Sequence, residues 1–149
     1  MREQRIRLDD VISLMREKLE AGQSVTFYPS GTSMLPFLRE GRDAVTLSQA
    51  PKRLKKYDVP LYQRDNGQYV LHRVVRVGKT YTCIGDNQYV KETGITHAQI
   101  IAVCTAITRD GKTIDANGFS WRTSARLWHS VRFVRRVMHA IARRVGRHK

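Results

Sequence analysis

Between residue 24 and about residue 116 the chain is a succession of short, alternating apolar runs divided by turn residues. A period of two over four to eight residues is the signature of strands with one buried face, so this stretch is constrained to a β fold. The spacing predicts strands at 24–28, 44–47, 59–63, 68–77, 80–84, 100–108 and 112–115. Asp65-Asn66-Gly67 and Asp110-Gly111 supply residues tolerant of positive φ, which tight hairpins need. A basic loop, Pro51-Lys52-Arg53-Leu54-Lys55-Lys56, joins two of the strands. Short strands at this spacing argue for a mainly β chain with a coiled, barrel-like body over residues 24–116.

A helix is expected on each side of that body. Leu8, Val11, Ile12, Met15 and Leu19 share one face of a helix over 8–21, with Asp9 or Asp10 as its cap and Gly22 at its end. Near the other end, Leu127, Val131, Val134, Met138, Ile141 and Val145 recur at intervals of four and three. On a helical wheel these six fall within an arc of about 80°. Arg132, Arg136, Arg143 and Arg147 project to the far side, and Arg135 and Arg144 flank the stripe. The expected organisation is one body over 1–120 and a basic amphipathic helix over 121–149.

With 149 residues, 41% hydrophobic and 27% charged, the chain can bury a real core beneath a polar surface. No run approaches the ~18 apolar residues of a membrane span, and the first residues enter a charged helix instead of an apolar signal core. A cytoplasmic protein is therefore expected, peripheral to the inner membrane face if its basic helix binds lipid. Cys83 and Cys104, both within apolar strand-like runs, read as reduced structural thiols, and neither metal nor cofactor is called for. The net charge of +14 is uneven: residues 121–149 hold nine Arg or Lys and no acid. That asymmetry marks a basic appendage.

Chemistry enters at Ser30-Gly31-Thr32-Ser33-Met34-Leu35-Pro36, a serine in a glycine-containing turn directly after a strand. Glycine lets backbone N–H groups turn toward a bound carbonyl, while the strand gives a rigid mount. His72 follows inside a strand pattern, on the face of Val70 and Val74, and Asp86 lies within Gly85-Asp86-Asn87. A hydroxyl, an imidazole and a carboxylate are the parts of a nucleophile, base and orienter system. Each also has an ordinary structural use: a turn serine, a core histidine, an Asx-turn aspartate.

Taken together these segments resemble the signal-peptidase and LexA-like serine peptidases, over about residues 24–109. Ser33-Met34-Leu35-Pro36 is similar to that group's Ser-Met-x-Pro box. Glu40-Gly41-Arg42-Asp43-Ala44-Val45 is similar to its Gly-Asp-x-Val segment, with Arg42 inserted. Lys56-Tyr57-Asp58-Val59 is similar to a second Gly-Asp box, with Tyr57 in the glycine's place. Leu71-His72-Arg73-Val74 and Gly85-Asp86-Asn87 are similar to the last two boxes. Histidine where most of the group has lysine resembles the endoplasmic-reticulum-type branch.

The resemblance implies that Ser33 attacks a peptide carbonyl, that His72 takes its proton and that Asp86 orients the imidazole. It places the oxyanion near Gly31 and Ser33, with Thr32 as an added donor, since the family's serine two before the nucleophile is Gly31 here. It further implies an extended peptide or precursor substrate lying beside Phe27, Tyr28, Val70 and Leu71. The rival readings are a regulator that cleaves itself at Ala21-Gly22 and a non-catalytic binding module. For 121–149 three settings are open: packing onto the body by the apolar stripe, lying on an anionic membrane with Trp121 and Trp128 at headgroup level, or contacting nucleic acid phosphates, the last least favoured.

Overall fold

The computed structural model describes the backbone of residues 2–146 and the side chains of residues 10–146. Leu8, Asp9 and Arg147, invoked above for a helix face, a cap and a cationic face, lie outside the described side chains.

Helix α1 spans Arg2–Glu20 and begins six residues earlier than its apolar spacing suggests, so Asp10 lies within it and does not cap it. Ile12, Met15 and Leu19 are buried, whereas Val11 is 54% exposed; the packed stripe is narrower than expected. The helix ends as predicted. Gly22 takes φ +78°, which places the Gly22 and Gln23 N–H groups on the Leu19 and Lys18 carbonyls at 3.0 and 2.9 Å.

Two open antiparallel sheets follow. The larger contains β1 (Val25–Phe27), β2 (Asp43–Ser48), β3 (Pro60–Gln63), β4 (Tyr69–Leu71), β8 (Ile100–Arg109) and β9 (Lys112–Asp115). Its order is β1-β2-β8-β3-β4, with β9 also paired to β8. The smaller runs β5 (Arg73–Val77), β6 (Tyr81–Ile84), β7 (Glu92–Ile95). The hairpin turns behave as their residues dictate: Asp110 and Gly111 both have positive φ, and Gly67 does at the β3–β4 turn.

Two departures from the expected strands matter for function. The run 68–77 is two strands, not one, broken at His72 where the chain leaves one sheet for the other: Val70 pairs with Tyr62 in the larger, Arg73 with Ile84 in the smaller. Strand β7 was not expected, because Glu92-Thr93-Gly94-Ile95 has a single strong apolar residue and a glycine at φ +73°.

The long β8 divides the interior. Ala102, Cys104 and Ile107 join the cluster under α1, and Val103 joins a second cluster with Tyr62, Val70, Val74 and Cys83. The two cysteines are free and lie in different clusters, and burial pushes both thiols up to about 12. They are packing residues, not nucleophiles.

Helix α2 (Phe119–Gly146) is docked the opposite way from its hydrophobic pattern. Ala125 and Arg132 are its buried residues. Trp121 and Trp128 set their rings edge-on to Phe37, with centroids 5.3 and 6.4 Å away, so they belong to the docking face and are not free to sit at headgroup level. All six stripe residues, Leu127 to Val145, are 40–64% exposed. The expectation that the stripe packs on the body is therefore wrong. The winning contacts are edge-to-face aromatic pairs and a buried guanidinium: Arg132 bonds the carbonyls of Gly85 (3.4 Å) and Gln88 and lies over the Tyr89 ring. Among the described residues no helix is long and apolar enough to cross a membrane.

Candidate active site

Ser33 sits in the loop between β1 and β2, directly before Met34, which is buried with Leu38 in the cluster under α1. Burial of both fixes the loop to the core, and the Leu38 N–H closes a turn on the Met34 carbonyl at 2.9 Å. Gly31 takes φ +92°, the conformation its place before the serine requires. Gly31 and Thr32 are exposed, and Ser33 is half-buried with its Oγ in no hydrogen bond among the described residues.

The turn Gly85-Asp86-Asn87 is clamped onto this loop. Asn87 N–H donates to the Ser33 carbonyl at 2.9 Å, and Asn87 Nδ2 donates to the Thr32 carbonyl at 3.2 Å. The approach is so close that a Cβ on Gly85 would lie 2.6 Å from the Ser33 carbonyl oxygen. The serine segment and the Gly-Asp-Asn segment thus meet in space, 52 residues apart in the chain.

Asp86 does not hold His72. Its Oδ1 and Oδ2 accept Nε and Nη2 of Arg73, both at 2.8 Å, and Oδ1 also accepts His129 Nε2 at 2.7 Å. Burial draws the carboxyl upward, but the bonds and charges of Arg73 and His129 outweigh it and hold Asp86 below the usual carboxylate range. The orienter role expected for Asp86 is corrected accordingly: its hydrogen-bonding capacity goes to a structural arginine and to α2. The aspartates of the other two boxes are likewise bound to arginine. Asp43 takes Nε and Nη2 of Arg109 at 2.8 and 2.9 Å, and Asp58 is paired with Arg122. Tyr57, standing in the glycine's place, has φ 76°, the left-handed conformation a glycine would supply more easily.

His72 is buried at the junction of the sheets, and its neighbours are residues the sequence did not flag. Its Nδ1 lies 3.4 Å from Tyr62 Oη and 3.7 Å from Glu92 Oε1. Tyr62 gives its one hydroxyl proton to Glu92 Oε2 at 2.7 Å, so toward His72 it can only accept. Nδ1 therefore carries the ring proton, and Nε2 keeps its lone pair. Nε2 has no hydrogen-bond partner among the described residues and, since no fully buried side-chain nitrogen there lacks one, it is not wholly shut off from solvent.

Arg64 pairs with Glu92 and fixes it beside the ring. Burial draws the Glu92 carboxyl upward, but the bonds from Arg64 and Tyr62 keep it net lowered and charged. Burial depresses the His72 pKa; Glu92 and Asp86 pull it back only in part, so the ring is neutral at physiological pH. Ser33 Oγ and His72 Nε2 are not hydrogen-bonded to each other.

Of the expected pocket walls, Phe27 and Leu71 lie on the outer strands of the larger sheet and pack against one cluster. Tyr28 is 67% exposed. Val70 points into the other cluster, behind the sheet, and is core, not a substrate wall. The Ala21–Gly22 bond is bound up in the C-terminal cap of α1, since the Ala21 and Gly22 N–H groups bond the Glu17 and Leu19 carbonyls.

Glu92, Tyr62 and Arg64, which surround His72 in the structure, were not singled out by the sequence. One signal was available: Glu92 is the single acid between Asp86 and Asp110. No protein-family model, curated protein or solved structure matches the chain, so its function rests on this geometry.

Proposed function

We propose that the chain is a serine endopeptidase with the coiled β body of the signal-peptidase and LexA-like type, cleaving an extended peptide or precursor segment. Ser33 is the nucleophile and His72 its general base. Tyr62 and Glu92, not Asp86, fix the imidazole tautomer. The observation that carries this reading is the polarity of His72: a proton held on Nδ1 by Tyr62 and Glu92, and an Nε2 without a hydrogen-bond partner among the described residues. That is the protonation state a base needs before it takes a serine proton. The nucleophile–base hydrogen bond, absent in the free protein, forms when substrate is bound. Backbone N–H groups around Gly31 and Ser33 hold the oxyanion, each worth about 3 kcal/mol in comparable sites.

A second reading has His129 as base, because Asp86 and His129 form the short carboxylate–imidazole bond a triad uses. Hydrolysis of a mixed library of extended peptides separates the two. The primary reading expects Ser33→Ala and His72→Ala to abolish cleavage while His129→Ala retains it. Full activity in His72→Ala with loss in His129→Ala would install the second, and hydrolysis surviving Ser33→Ala would sink both.

A further inference from the structure

The exposed stripe of α2 is the largest unexplained feature of the molecule, and its surroundings identify what it meets. Leu127, Val131, Val134, Met138, Ile141 and Val145 run along the outward side, widened by Phe133 (70% exposed) and Val137 (41%). Arg135 lies on one flank and Arg126 and Arg144 on the other, by helical spacing. No acid occurs after Asp115. Beside the stripe a cavity of about 580 Å³ opens between α2 and the smaller sheet. Phe133 and Val134 are the helix's share of its apolar wall, opposite Val75 and Ile84, and Lys56, Lys91 and Arg136 line its basic side.

We propose that this face of α2 lies in the interface of an anionic bilayer, with the stripe in the acyl boundary and lipid phosphates against the flanking arginines and the basic cavity. An amphipathic helix with arginine flanks and without acids fits such a surface. The helix lies on the membrane and does not span it. A second copy fits poorly: stripe-to-stripe pairing would oppose the same arginine flanks on two chains of net charge +14. Nucleic acid would engage the arginines but leave the stripe in water. The proposal is independent of the peptidase reading.

Co-sedimentation of the full chain with phosphatidylglycerol-containing and pure phosphatidylcholine vesicles tests it. Binding is expected to the anionic vesicles alone and to weaken with salt. It should fall at least about tenfold in Val134→Glu/Ile141→Glu, and less steeply in Lys56→Ala/Lys91→Ala. Both stripe positions are exposed, so circular dichroism should match the parent; if the double variant unfolds, Ile141→Glu alone replaces it. Equal pelleting by the stripe variant and the parent overturns the proposal in favour of charge-only adsorption. Absence of pelleting, or a dimer in sedimentation velocity that the stripe variant abolishes, overturns it too.

Discussion

Asp86 grips Arg73 through both carboxylate oxygens at 2.8 Å, and neither side chain is more than 1% exposed. Arg73 also reaches the Tyr57 carbonyl at 3.0 Å and lies over the Phe37 ring. The pair therefore ties three loops to the first strand of the smaller sheet. Removing one charge of a buried pair strands the other, which typically costs about 3–5 kcal/mol. Asp86→Asn should lower stability by that order in denaturant titration, and any activity loss should track the unfolded fraction. Were Asp86 the partner of His72, the variant would instead keep its fold and lose roughly 10⁴ in kcat.

Glu92→Gln should fold, since the amide can still accept from Tyr62. It removes a charge that raises the His72 pKa. The acidic limb of the pH–rate profile should move to lower pH while the maximum falls by about 10–100-fold. Tyr62→Phe should show a similar loss of rate with a smaller displacement of the limb. Profiles of both variants superimposing on the parent would remove Glu92 and Tyr62 from the mechanism.

Gly85→Ala tests the clamp on the nucleophile loop. The added methyl would lie 2.6 Å from the Ser33 carbonyl oxygen and 2.8 Å from Gln88 Oε1. One of the two segments must shift. A misplacement of about an ångström in a catalytic group can cost about 10² in rate, while overpacking costs about 1–3 kcal/mol. Rate and unfolding free energy measured on one preparation should show kcat falling by that factor in molecules that remain folded.

Acid should weaken the fold in two stages. His72 has a folded pKa below its ordinary 6.5, so below that pH the unfolded chain binds the extra proton and stability declines until the folded value is passed. Asp43, Asp86 and Glu92 have folded pKa values below their ordinary 3.8 to 4.5. Their contribution is complete above that range and is lost as pH falls through the folded values. Urea midpoints followed from pH 8 downward should bend near about 6.5 and again below about 4.5. His72→Gln should flatten the first bend and leave the second.

The parts of this molecule written in local chemistry were readable in the chain. Asp110-Gly111 makes its hairpin, Gly22 ends its helix, and Ile12, Met15 and Leu19 go inward because spacing and turn geometry act over a few residues. The meeting of Ser33 with Asn87 is a long-range event that only motif order hinted at. Three things lay beyond periodicity. Strand β7 hides behind Gly94, and so the partner of His72 was out of sight. Asp86 has two competing partners, Arg73 and His129, and no pattern says which base it will serve. Helix α2 turns its stripe outward because Trp121, Trp128 and Arg132 find specific receivers, and a hydrophobic pattern counts area without knowing what stands opposite.

One carbonyl joins these observations. Trp128 Nε1 donates to the Asp86 carbonyl at 2.8 Å, and the next residue, Asn87, donates to Ser33. The two bonds involve one peptide group, so the helix that carries the exposed stripe is bolted to the same unit that holds the Ser33 loop. Mechanically α2 is a lever held at Trp128, His129, Arg132 and Arg136, with residues 137–146 as the arm beyond the last of these bonds. A load on that arm falls on the turn from Gly85 to Tyr89, and through Asn87 on the Ser33 backbone.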